Sequence, residues 1–314
     1  LQDSYGDDWW YLGAAAMALQ ECDRFAEACR SAERSLAHEP RNAMAAHALA
    51  HVLHATDNHV ALRHFLGVWL ADYDRQAPLH CHLSWHLALA ELAGGRVQAS
   101  LDRYERDIRP VLQVRPATAL VDAASLLWRQ RLRKTGQGAT DQALRWGDVA
   151  AVAIPLAARP GFAFVDVHSA LALAAAGEET ALGTLIDGLR RLAAQGHAVT
   201  ETVTLPLALG LRAFAAGDNE EAIRRIAPVA GSVVRLGGSN AQREVIEETL
   251  LAAYLRAGRL EEAETLWRER ADRPAVLALR SPAAAQIAVG APSGRGLAKS
   301  RGFYDTSPSP APAS

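Results

Sequence analysis

The chain of 314 residues holds only three cysteines, Cys22, Cys29 and Cys81, and none sits in a CxxC pair. That usage argues against a disulfide framework and against a structural zinc module built on thiolates, and it points to a reducing, cytoplasmic setting. Long apolar runs are also missing. The longest stretches free of Asp, Glu, Lys and Arg are 42–56 and 76–90, and each contains several histidines. Both are shorter than the ~20 apolar residues a membrane span needs, so no transmembrane helix is expected. The opening LQDSYGDDWW has neither Met nor a basic segment ahead of an apolar one, so no signal peptide is read there and the natural start is expected upstream. An excess of one charge is absent too. Lys plus Arg is 33 against 35 for Asp plus Glu, a formal net charge of −2, which offers nucleic acid or an anionic membrane no general attraction. Nor does the chain contain GxGxxG, GxxxxGK[ST], GxSxG or HExxH. Gly-loop nucleotide binding, an α/β-hydrolase and a zincin therefore lack support.

Strand-like runs of β-branched and aromatic residues are scarce, whereas Ala and Leu dominate and Gly or Pro stands where helical patterns stop, which predicts an all-α protein. One signature recurs: a polar or Gly-containing turn that leads within a few residues to Ala, Leu or Ser on the next helix. It reads DRFAEA at 23–28, DNHVAL at 57–62, GRVQAS at 95–100, GEETAL at 177–182, GDNEEA at 217–222 and GRLEEA at 258–263. Aligned on its last residue, and with Ala143 filling the long gap, it steps by 34, 38, 43, 39, 40 and 41 residues. A 34-residue helix-turn-helix step is the tetratricopeptide pattern, and the longer steps read as loop-extended versions of it. About seven antiparallel helix pairs are expected within a domain at 1–280, stacked as an α-α superhelix or a closed-up form of one. The remainder, 281–314, is rich in Pro, Ser, Ala and Gly and is expected to be disordered.

What the chain does have is histidine. Nine of its eleven fall between His38 and His86. Counting back from the aligned small residues places His47, His51 and His54 on the groove face of one first helix, and His82, Trp85 and His86 on that of the next. His168, Trp10, Trp128 and Glu248 fall on the corresponding faces of other units. His47/His51 and His82/His86 are each i, i+4 pairs, so each pair shares one helix face. Four imidazoles on two neighbouring helices suit a transition metal such as zinc or another divalent cation that favours histidine, or acid/base work on a small ligand, or hydrogen bonding within a close-packed interior. Cys81 diverges from its neighbours by about 100° on a helix and is expected to face elsewhere. Asp166 could orient His168 if the chain is still entering its helix there. Ser239 or Asn240 reads as an N-cap. Arg243 opposes the dipole of the helix that follows, which suggests anion recognition, and the run RQRLRK at 129–134 reads as a solvated helix end.

At HALAHV (47–52), HLSWHLAL (82–89), LVDAASLLWR (120–129), FVDVHSALAL (164–173) and GGSNAQREVIEETLL (237–251) the chain resembles, in order and spacing, the tetratricopeptide repeat protein 38 family. The resemblance covers nearly all of 9–273. It implies an α-helical repeat fold and a cytoplasmic protein of bacterial type, and it carries His47, His51, His82, Trp85, His86, Asp166, His168, Gln242 and Arg243 as family-like positions. Members usually have His where Asn240 stands and an aromatic where Ser84 stands, and they continue further before the stretch matching Trp9.

Two functions are expected from these residues. The first is a helical-repeat binding protein whose concave groove, lined by His47, His51, His82, Trp85, His86, Trp128, His168, Gln242 and Arg243, takes a small molecule or a peptide. The second is an enzyme using His86, His168 and Asp166 as catalytic groups, with a metal on His47, His51, His82 and His86. Neither nucleic acid nor membrane is expected as a partner.

Overall fold

A computed structural model describes residues 2–133 and 144–271, and it is all-helical, with no strand among the described residues. The expected repeat member at Ala143 and the tail from 281 lie outside these residues. In chain order the helices are α1 (Gln2–Tyr5), α2 (Trp9–Glu21), α3 (Phe25–His38), α4 (Ala43–Ala55), α5 (His59–Trp69), α6 (His80–Ala93), α7 (Val97–Arg103) and α8 (Pro116–Arg133). Past the undescribed segment come α9 (Trp146–Ala157), α10 (Ala163–Ala176), α11 (Glu179–Ala194), α12 (Leu205–Ala215), α13 (Asn219–Ile226), α14 (Asn240–Ala257) and α15 (Leu260–Ala271). Pi- and 3-10-helical turns extend α7 and α13 at their ends and precede α12. No helix among the described residues is long and apolar enough to cross a membrane.

The recurring turn signature has one local cause. Asp23, Asp57, Gly95, Gly177, Gly217 and Gly258 all take left-handed backbone, with φ between 55° and 85°. In each case the next N–H bonds to the carbonyl five residues back, as in Arg24 to Leu19 at 3.0 Å, Asn58 to Leu53 at 2.8 Å and Arg259 to Tyr254 at 2.9 Å. This 6→1 closure ends one helix and sends the chain directly into the next, and glycine or a short Asp accepts its left-handed residue at least cost. The aligned residues Ala28, Leu62, Ser100, Leu182, Ala222 and Ala263 are all fully buried, so their small or compact side chains mark where the second helix of a hairpin meets its neighbours.

Helices α4, α6, α8, α10 and α12 pack one against the next, each also against the helix that follows it. These inner helices are buried nearly all round. Twelve of the fourteen residues of α6 are buried, whereas the outer helix α5 buries only Leu62 and Leu66, as expected for apolar-all-round and one-sided helices respectively. Close approach is built in at Gly210 of α12, where a Cβ would stand 2.5 Å from Ile226 Cγ1.

Helix α14 adds a contact that chain order does not supply: it packs on both α8 and α4. The indole N–H of Trp128 donates to the Thr249 hydroxyl at 2.8 Å and Arg129 donates to the Ala241 carbonyl at 2.6 Å. Arg129 Nε also lies 2.9 Å from a Glu248 carboxylate oxygen, and the two side chains are 1% and 2% exposed. The described part of the basic run, 129–133, is thus not a solvated helix end, and Lys134 lies outside the described residues. Arg129 is buried against α14, Arg131 lies 5.6 Å over the Trp128 ring, and Arg133 donates to the Leu92 carbonyl at 2.7 Å. Packing of α14 and α6 on that end of α8 is the reason.

Candidate metal centre

Because α4 and α6 lie side by side, their i, i+4 histidine pairs meet. Ring centroids are 4.2 Å apart for His47 and His51, 4.7 Å for His47 and His82, 4.8 Å for His51 and His86, and 4.7 Å for His82 and His86. One ring nitrogen from each of the four lies within 4.8 Å of every other.

A buried carboxylate orients this group. Asp122 of α8 is 1% exposed, and its two oxygens lie 3.0 and 3.1 Å from His82 Nδ1. That nitrogen therefore donates its proton to Asp122, and Nε2 is turned toward His47 Nε2 at 3.0 Å. A carboxylate fixing the tautomer of a histidine from behind is the usual outer partner of a metal-ligating imidazole. Asp122 also accepts from the Gln242 side chain at 3.3 Å. Gln242 is held in turn by a capping box with Ser239, which caps α14 as the sequence predicts. Trp85 stacks on His82 with centroids 5.3 Å apart, and its indole N–H donates to Ser125 Oγ at 3.0 Å.

The far side of the cluster is buried. His86 is fully buried, and neither of its ring nitrogens has a hydrogen-bond partner among the described residues; the same holds for Nε2 of His51. Burial, followed by the neighbouring imidazoles, holds His47 and His86 well below the ordinary histidine range and lowers His51 to about 3. All three are neutral at pH 7, with lone pairs available. His54 closes the deep end, its ring 6.5 Å from that of His86 and its Nε2 3.0 Å from a Glu244 oxygen on α14.

The remaining expected residues are placed differently. The Asp166 carboxylate accepts the Gly161 N–H at 2.9 Å, and His168 Nδ1 donates to the Phe164 carbonyl at 2.7 Å, so the expected Asp166–His168 pair is not formed. The first turn of α10 takes both groups for its own backbone. Burial raises the Asp166 carboxyl to about 6 and lowers His168 to about 4. The Arg243 guanidinium folds back onto the Gly237 and Gly238 carbonyls and Asn240 Oδ1; it serves the turn before α14 and is not presented to an anion. Trp128 is fully buried, Trp10 is 63% exposed, and Cys81 packs in the apolar core. Of the face expected to form an open groove, the part that carries His51, Trp85, His86, Trp128 and His168 is buried, and α14 packs on two of its helices, α4 and α8. Asp122 was missed in the sequence, although as the one charge in the apolar run LVDAASLLW it carries a readable signal: an ionised group there must be paired. No family model matches the chain, and no solved structure matches it.

Proposed function

We propose that the protein is a metal-binding helical repeat in which His47, His51, His82 and His86 hold one divalent transition ion, zinc or another cation that favours imidazole. The observation that carries this reading is His86: a fully buried, neutral imidazole with both nitrogens unpartnered among the described residues, set among three further imidazoles. Leaving one buried polar group unsatisfied costs about 1–3 kcal/mol, and a coordinate bond would relieve that cost. The donor set fits. Zn–N bonds of about 2.0–2.1 Å put tetrahedral ligand nitrogens about 3.3 Å apart; the His47–His82 pair is already at 3.0 Å, and the other pairs, all within 4.8 Å, would close by side-chain rotation. Asp122 would keep His82 in the ligating tautomer, and His47 would turn its hydrogen-bonding nitrogen into a lone-pair donor. Four histidines complete a tetrahedral shell, which favours a held ion over an open catalytic one.

The same reading takes the helices as a tetratricopeptide-like superhelix akin to the tetratricopeptide repeat protein 38 family. The six left-handed caps, the six buried aligned residues and the five sequence motifs support that. A peptide groove is less well supported, because the Trp85 and Trp128 indoles already donate to Ser125 and Thr249. Acid/base catalysis loses its orienting carboxylate with the Asp166–His168 pair.

The test is a titration of chelator-stripped protein with Zn2+ in competition with a chromophoric chelator, followed by the Co2+ absorption spectrum. One equivalent and a tetrahedral Co2+ spectrum are expected. His47→Ala plus His86→Ala should lose both without loss of helical circular dichroism, while His64→Ala changes neither. Wild-type protein that takes up no metal would overturn the reading.

A further inference from the structure

Outside the histidine cluster the chain's charge is unevenly placed. Helices α5 and α7 both pack closely on α6 and not closely on each other, and two adjoining cavities of about 500 and about 260 Å3, which share Gly67 and Arg103, are lined by residues of all three helices. The larger is within the usual range for small-molecule sites, about 300–1,000 Å3. Five arginines and two carboxylates line the two cavities, in a chain whose net charge is −2.

Ion pairing within the cleft divides those arginines. Glu91, buried in the floor, accepts two bonds from Arg103 at 2.9 and 3.1 Å. Asp107 is held by Arg75 at 2.6 Å and by Arg106 at 2.9 Å. Both carboxylates are thereby neutralised. Arg63 and Arg96 have no carboxylate partner among the described residues, and both line the larger cavity. Arg63 is held near the end of α6, where a Cβ on Gly94 would stand 3.0 Å from its Nη1. Beside these two guanidiniums runs an apolar strip: Val60 and Val68 of α5, 68% and 64% exposed, with Leu87 of α6 on the floor. In the last turn of α5 the wall is cut away at Gly67, whose Cβ position meets nothing within 4 Å.

We infer that the cleft between α5 and α7 binds a small amphiphilic anion, its phosphate or carboxylate head taken by Arg63 and Arg96 and its apolar group laid along Val60, Val68 and Leu87. Guanidiniums bind such heads with charge-assisted, two-point hydrogen bonds. A bare inorganic anion would leave the apolar strip wet, and a neutral lipid-like molecule would leave both guanidiniums without a partner. Only a ligand with both parts uses the whole cleft. The site is independent of any metal on the histidines.

Isothermal titration with octyl phosphate, inorganic phosphate and octanol tests this on the full chain. Octyl phosphate should bind at one site at least tenfold more tightly than either of the others, and less tightly as salt is raised. Arg63→Gln with Arg96→Gln should weaken it at least tenfold. Gly67→Leu, which improves helix propensity and meets no neighbour at Cβ, should fill the cleft and abolish binding while the thermal midpoint stays at or above wild type. Failure of octyl phosphate to bind, octanol binding equally well, or the arginine double variant binding unchanged would each overturn the inference.

Discussion

Replacing Arg129 with Met should destabilise the fold by about 3–5 kcal/mol, the usual cost of stranding one member of a buried ion pair. The structure sets this scale. Both side chains are shielded from water, with exposures of 1% for Arg129 and 2% for Glu248 and an N···O distance of 2.9 Å, so solvent screening cannot soften the loss. The change also removes the 2.6 Å bond to the Ala241 carbonyl, a hydrogen bond worth about 1 kcal/mol net. Glu248→Leu alone should cost a similar amount, because it strands the guanidinium. The double variant removes both charges together, and only the hydrogen bond and some packing remain lost, so it should lie about 1–2 kcal/mol below wild type. Urea unfolding followed by far-ultraviolet circular dichroism and by tryptophan fluorescence measures all four proteins. The single variants should also melt roughly 10 °C lower. Losses that simply add in the double variant, or an Arg129→Met loss under about 1 kcal/mol, would refute the reasoning and mean that the α8–α14 contact is wet or displaced.

Three further outcomes are expected. Asp122→Asn removes the charge behind His82 and should weaken Zn2+ binding by about 10–100-fold; unchanged affinity in chelator competition would remove His82 from the ligand set. Gly210→Ala places a Cβ 2.5 Å from Ile226 Cγ1 and should cost about 1–3 kcal/mol by overpacking α12 against α13; an unshifted urea midpoint would show that the helices part freely. His51 and His168 are lowered to about 3 and about 4, so the stability they contribute is complete above their unfolded value near 6.5 and is lost as pH falls toward 4. Asp166, raised to about 6, acts in the opposite sense, its contribution fading as pH rises through about 6. The two histidines outweigh it, and the fold should weaken on acidification. His168→Gln should make that acid limb shallower, and an identical pH profile would contradict the assignment.

Much of the local structure was legible. Six of the seven expected hairpins were announced by an Asp or Gly at a position that proved left-handed, and of the two expected caps of α14, Ser239 or Asn240, it is Ser239 that caps it. The metal candidate was half legible. The 3.6-residue period alone puts His47 beside His51 and His82 beside His86, and the hairpin spacing makes α4 and α6 neighbours. Arg129 was misread because a cluster of arginines at a helix end looks like a solvated terminus until something packs on it. Asp166 and His168 were misread because a helix's first turn offers backbone partners closer than either side chain offers the other.

Local chain chemistry therefore determined where helices stop and which residues share a face, since both depend on groups within about five residues of one another. Whether a face looks onto water or onto another helix depends on contacts between segments far apart in the chain. Only the return of α14 onto α8 and α4 decided that. It buried the histidine face, paired Arg129 with Glu248, and brought Gln242 to the carboxylate that orients His82. Composition and period carry no record of that closure, because its energy lies in side chains separated by more than a hundred residues.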